Sequence, residues 1–233
     1  MLFSFSDNKK RKIINSIQNG LAEAKVKNLS DGLTYENGAA LHTLNFVFKH
    51  IDKINESSFE LYSFKRGPYQ QTLIYDKETK TLISLTSQNN INRLKNRNSI
   101  NRVHYIDSLL LFNDHIPTTE QLTIFDDMPE TWQDDRERVK KEIQNLISQK
   151  DIKYYMVVEY QIHYKSYSLY GVKSKILSPD YFEIDTQNWG ELIKPNYDNV
   201  LGDDIMNNVA PEEQKDSPYV KQKELSVRLK TAN

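Results

Sequence analysis

No cysteine occurs anywhere in the sequence. That excludes a disulfide framework, a thiol nucleophile and a thiolate metal site, and it suits a reducing cytoplasm. Glycine is scarce too. The seven glycines stand apart from one another, whereas a phosphate-cradling loop needs two or three in close succession, so P-loop and dinucleotide fingerprints are missing. The five histidines, His42, His50, His104, His115 and His163, form neither HExxH nor HxH, the spacings that would hold zinc. Gly-x-Ser-x-Gly is absent as well. No apolar run approaches the roughly 18–20 residues of a membrane span. The basic cluster Lys9-Lys10-Arg11-Lys12 follows a short apolar patch instead of preceding a long one, which is the reverse of a secretory signal. The expectations are a cytoplasmic chain with no membrane association, no metal and no cofactor.

What is present is a chain of 233 residues, 38% of them hydrophobic. That is enough for one sizeable core but not for burial along the whole length. The expected division is a single domain over 1–198 and a polar C-terminal tail or arm over 199–233. Formal net charge is only -1, but the charges are unevenly laid out. From Thr79 to Ile106 there is no acid, while Lys80, Arg93, Lys95, Arg97 and Arg102 are basic. From Asp114 to Asp135 the sign inverts, with Asp114, Glu120, Asp126, Asp127, Glu130, Asp134 and Asp135 and no lysine or arginine. Such blocks either neutralise each other in the fold or present a charged face to a partner.

Apolar residues at three- and four-residue spacing predict a helix from Asp7 to about Lys27 (Ile13, Ile17, Leu21, Ala24) and another from about Gly38 to Ile54 (Leu41, Leu44, Phe48, Ile51). Gly20 weakens the first of these. Alternating patterns predict strands over 59–65, 69–75 and 80–86, joined by Arg66-Gly67-Pro68 and Asp76-Lys77-Glu78-Thr79 as turns. Short helices follow over 89–97 and 104–113, then an acidic loop over 114–131, a helix over 133–148, strands over 151–164 and 167–177, and a short strand over 181–184. No internal repeat or low-complexity tract is present. The fold class expected is α+β, with a single antiparallel sheet (the three-strand meander plus a C-terminal hairpin) flanked by four to five helices.

Three groups of residues carry possible chemistry. Lys65, Arg66, Tyr69 and Gln70 surround the Gly-Pro turn, where a guanidinium, a ring and an amide could meet a phosphate, a carboxylate or a base edge; a packed turn with a solvated arginine is the alternative. His104 and Asp107 stand three apart on a predicted helix, so the carboxylate could orient the imidazole for acid–base work, or the two could form a plain surface ion pair. The basic run Arg93, Lys95, Arg97 and Arg102 precedes them and would suit nucleic acid. In the second hairpin Tyr154, Tyr155, Tyr160, Tyr164, Tyr167 and Tyr170 would suit either a partner interface or the strands themselves, and Tyr160, Tyr164 and Tyr167 are the interface candidates. The element order also matches that of restriction-endonuclease-like nucleases. Their core needs an acid on the second strand and Glu-x-Lys on the third. Here Asp76 ends the second strand, Glu78-Thr79-Lys80 lies in the turn, and Thr81 to Leu85 holds no acid.

The segments Arg66-Gly67-Pro68-Tyr69-Gln70, Ile74-Tyr75-Asp76, Thr79-Lys80-Thr81-Leu82 and His104-Tyr105-Ile106-Asp107-Ser108-Leu109-Leu110 ending in Asn113 resemble an uncharacterised family of small cytosolic proteins in low-GC Gram-positive bacteria and their prophages. The resemblance spans roughly Leu41 to Asn113, with an echo over Asp185 to Tyr197. It implies no chemistry; its mobile-element setting implies a part in phage–host conflict. The functional expectation is a protein that binds a macromolecular partner, first of all another protein and secondarily a nucleic acid, as a regulator or inhibitor. The alternatives are a nucleic-acid-acting enzyme such as a toxin-like ribonuclease or a degenerate nuclease, and a DNA-binding protein using the basic segment 89–102.

Overall fold

The computed structural model describes residues 2, 5–30, 39–54, 58–66, 69–97, 103–117, 130–148, 150–163 and 165–194. Most of the acidic loop, the Gly-Pro turn, Arg102, Tyr164 and the C-terminal tail lie outside the described residues.

Helix α1 (Asp7–Ser30) and helix α2 (Ala39–Ile51) pack on each other ahead of the sheet, and a short 3-10 turn (Asp52–Ile54) closes α2. Ile13, Ile14, Ile17, Leu21 and Ala24 on α1 are all buried, as the helical spacing predicts. Gly20 has a reason that periodicity does not disclose. A Cβ on it would lie 2.5 Å from Val47 Cα and 2.6 Å from Val47 N, so α2 backbone rests on the glycine itself. The helix-propensity loss at this position is offset by the close approach.

Strands β1 (Phe59–Arg66), β2 (Tyr69–Asp76) and β3 (Thr81–Ser87) form the expected meander, antiparallel in register from Phe59 opposite Asp76 onward. Strands β4 (Tyr154–His163) and β5 (Ser168–Leu177) form the second hairpin, and β6 (Glu183–Asn188) adds an edge a little beyond its expected place. One six-stranded sheet results, in the order β1-β2-β3-β4-β5-β6. It is not purely antiparallel: β4 runs parallel to β3, from Thr81 opposite Tyr154 to Ser87 opposite Tyr160. The physical reason is the connection. Between β3 and β4 come α3 (Gln88–Lys95), α4 (Tyr105–Leu110) with a 3-10 turn (Leu111–Asn113), and α5 (Glu130–Leu146). A helical crossover of this kind carries the chain back to where β3 began, and parallel pairing follows. The fold is α+β with a mixed sheet.

Helices cover both faces. Ile74, Ile83, Leu85, Met156, Val158 and Val172 belong to the core beneath α1 and α2. Leu73, Leu82, Tyr155, Val157 and Leu177 belong to the core beneath α3, α4 and α5. That is why six successive residues of β4, Tyr155 to Tyr160, are buried: a central strand covered on both sides needs no polar face. Among the described residues no helix is long and apolar enough to cross a membrane.

Candidate functional site

The segment His104 to Asn113 is a folding device. His104 is the N-cap of α4: its Nδ1 accepts the Ile106 N–H at 3.3 Å, and the Asp107 carboxylate accepts the His104 backbone N–H at 2.6 Å. This reciprocal arrangement satisfies helix-end donors. Asp107 is not on a helix surface; it is 0% exposed. Its Oδ2 also takes Arg97 Nη1 at 3.1 Å, and its Oδ1 takes Arg97 Nη2 at 2.7 Å and the Tyr181 hydroxyl at 2.5 Å. The carboxylate thus accepts from the backbone of His104 and pairs with Arg97, inside the fold and not on a helix surface. Around this hub Arg136 is buried, donates to the Asp107 and Pro179 carbonyls, and lies over the Trp132 ring at 4.5 Å. Burial raises the Tyr181 hydroxyl pKa, and the adjacent Asp107 charge raises it further. At the segment's end, Asn113 donates to the Tyr155 and Leu177 carbonyls and accepts the Tyr155 N–H, each at 2.8 Å, which ties α4 to β4 and β5.

The basic run divides in the same way. Arg93 and Lys95 are exposed on α3, whereas Arg97 is committed to Asp107. Arg102 lies outside the described residues. In the first hairpin Lys65 pairs with Gln70, both exposed, and Arg66 pairs with Tyr69 at the last rung. The tyrosine hairpin is not an exposed face. Tyr155 is 0% and Tyr160 7% exposed; Tyr154 and Tyr167 are half-buried, and Tyr167 accepts a hydrogen bond from Asn28. Tyr170 is exposed and stacks on His163 with centroids 4.2 Å apart. Because β4 is central, its tyrosines build core.

The charged turn after β2 also has a structural explanation. Lys9 of α1 reaches Asp76 and Glu78, each at 2.6 Å, while Asp76 Oδ2 accepts the Thr79 hydroxyl and N–H. Burial opposes the Lys9 charge, but these hydrogen bonds outweigh it and the pKa is raised. Lys80 pairs instead with Asp151. The acids and lysine of the nuclease pattern are therefore turned to α1 and to the start of β4, and the described residues hold no group of three or more His, Asp or Glu able to bind a metal. A second ionic set, Lys175 between the buried Glu159 and the exposed Glu183, fastens β5 to both neighbours.

The open feature is a pocket of about 500 Å³ at the carboxyl ends of β3 and β4. In open α/β sheets with parallel strands, this end is where ligands collect. Leu85, Thr86 and Ser87 from β3 and Tyr160 from β4 line it, with Gln71 from β2, Leu44 from α2, and His104 and Tyr105 at the start of α4. Asn89, Asn90 and Arg93 supply the wall made by α3. Ser87 caps α3 by accepting the Asn90 N–H, so the positive end of that helix opens at the pocket. Asn90 is held between Thr86 Oγ1 and Arg93 Nη2, each at 2.9 Å. Among the described lining residues there is no carboxylate. Gln71 and Asn89 make no side-chain hydrogen bond to other described residues. The pocket therefore offers one guanidinium with donors to spare, an imidazole and uncommitted carboxamides beside two phenol rings.

Of the residues nominated from sequence, the pocket gathers Arg93, His104 and Tyr160 and leaves out Asp107, Arg97 and Lys95. Gln71, Asn89 and Asn90 were not foreseen. The one local signal was Ser87-Gln-Asn-Asn90, a capping residue followed by polar residues directly after an apolar strand.

The chain belongs to the family of unknown function DUF5986, whose family model matches residues 2–232. No curated protein and no solved structure matches it.

Proposed function

We propose that this protein works by binding a macromolecular partner, and that the partner is a single-stranded nucleic acid laid across the pocketed end of the sheet. The observation that carries this reading is the pocket's chemistry: Arg93 and the positive end of α3 beside carboxamides and the half-buried His104 ring, with no carboxylate among the described lining residues. Cations and helix N-termini take phosphates, carboxamides take base edges and rings take base faces. Further contacts are available around it. Lys95 is exposed on the same helix, and so are Lys65 and Gln70 on the hairpin. In the phage–host setting that the sequence resemblance implies, such a protein would regulate by occupying a strand.

Fluorescence anisotropy with labelled single-stranded and duplex oligonucleotides tests it. Single strands should bind more tightly than duplexes of the same sequence, and log K should fall with log salt. Arg93→Glu should weaken binding at low salt while the circular dichroism spectrum is kept. No binding of any single strand at low ionic strength would overturn the reading.

A further inference from the structure

Resting on that reading, we infer that the pocket holds one nucleotide unit, with its phosphate at α3 and its base between the His104 ring and Gln71. The argument begins with size. A space of about 500 Å³ falls within the range that encloses a single small ligand and is too small for a stretch of strand. The site is thus a socket for one unit and not a track along a backbone.

Its two sides differ in chemistry. On the α3 side stands Arg93, with one guanidinium nitrogen bonded to Asn90 Oδ1 and the rest of the fork open to a ligand. That bond draws the Arg93 guanidinium back from the last turn of α3 toward Asn90, near the helix start where the macrodipole favours an anion. A phosphate, singly charged within a strand and doubly charged at its end, is the ligand group that uses both. On the other side, His104 and Tyr105 rings lie 4.5 Å apart. The His104 ring is held by the Ile106 N–H on its Nδ1 and lies over Tyr105, which is itself buried. A half-buried imidazole fixed in this way gives a base a surface to rest on. Gln71 presents a donor and an acceptor together, the pattern that matches a base edge. An acidic peptide would satisfy Arg93 but would leave the Gln71 carboxamide and the ring surface without a matching group.

Competition separates this inference from the broader one. AMP, GMP, CMP, UMP and inorganic phosphate are each titrated against a labelled single-stranded oligonucleotide bound to the full chain. At least one mononucleotide should displace the oligonucleotide, and inorganic phosphate should do so about tenfold or more weakly, the loss expected when base contacts worth about 1.4 kcal/mol are missing. Arg93→Ala should raise the half-displacing concentration of every mononucleotide by about tenfold, the effect of one charged hydrogen bond. Gln71→Ala should compress the spread among the four bases and leave phosphate competition unchanged. Oligonucleotide binding that saturating mononucleotide does not disturb would overturn the socket while the strand-binding function stands. Phosphate competing as well as the best nucleotide would reduce the site to an anion site and would also overturn it. Failure of every oligonucleotide to bind would remove both.

Discussion

Arg97 holds Asp107 through two guanidinium nitrogens, at 3.1 and 2.7 Å, on a carboxylate that is wholly buried. This one contact takes two residues out of the candidate chemistry and places them in the frame beneath the pocket. Removing one member of a buried, hydrogen-bonded ion pair typically costs about 3–5 kcal/mol, because the other charge is left stranded. Asp107→Asn should show a loss of that size in urea unfolding. His104→Ala, which forfeits a cap, should lose about 1 kcal/mol. Were the two an acid–base pair on the surface, the substitutions would leave stability nearly alone.

Gly20 makes the opposite point about a helix interior. Alanine is better than glycine by up to about 1 kcal/mol in an exposed helix. Here the new methyl would meet Val47 backbone at 2.5 Å, and backbone cannot swing aside. Gly20→Ala should therefore destabilise by about 1–3 kcal/mol, as overpacked sites do. Asn19→Ala, at an exposed position one residue away, should be neutral or stabilising. Paired denaturation curves of the two variants check this.

Asn113 closes three buried hydrogen bonds with the backbones of Tyr155 and Leu177. Asn113→Ala leaves those groups without protein partners, at a cost of about 1–3 kcal/mol for each that stays dry. Hydrogen exchange should report it locally: the Tyr155 amide should lose protection before the other amides of β4.

Glu60 gives a pH signature. The Tyr62 hydroxyl and then Lys150 hold its carboxyl down to about 2, against an ordinary value of 4.5. A carboxyl with a lowered folded pKa stabilises the fold above its unfolded value and loses that contribution as acid protonates it. Glu60 should thus support the fold fully above about pH 4.5 and progressively less toward pH 2. In melting curves across that window, Glu60→Gln should flatten the pH dependence, falling below the natural protein at pH 7 and approaching it in acid. The Tyr62 hydroxyl should answer in reverse, with burial and the Glu60 charge pushing its pKa up to about 12.

The strands and helices were legible because their signals are local. Ile13, Ile17 and Leu21 recur at helical spacing within α1, and Leu73 to Tyr75 and Leu82 to Leu85 carry strand-forming side chains between turn residues, so neither needs a distant neighbour to be recognised. The run Tyr154-Tyr-Met-Val-Val158 reads as one arm of a hairpin, and its lack of a polar face is explained only by its covered central place. Pairing is a different matter. That β4 joins β3 in parallel depends on a crossover of three helices, and no local pattern specifies direction across such a distance.

The same limit governs the site. The sequence by itself determined the absence of thiols and glycine loops, the helices and strands, and the presence of Arg93 and His104 in one basic stretch with Asp107 just after it. Only the tertiary structure decided their fates. Asp107 is claimed by Tyr181, 74 residues away, and Tyr181 takes a left-handed backbone, φ 66°, where the hydrogen bond is made. Arg93 and His104 line one pocket with Gln71 and Tyr160 because β2 begins where β3 and β4 end. A side chain's periodicity fixes which face of its element it occupies, but whether that face meets a carboxylate, a core or an open pocket depends on segments that only the folded sheet brings alongside.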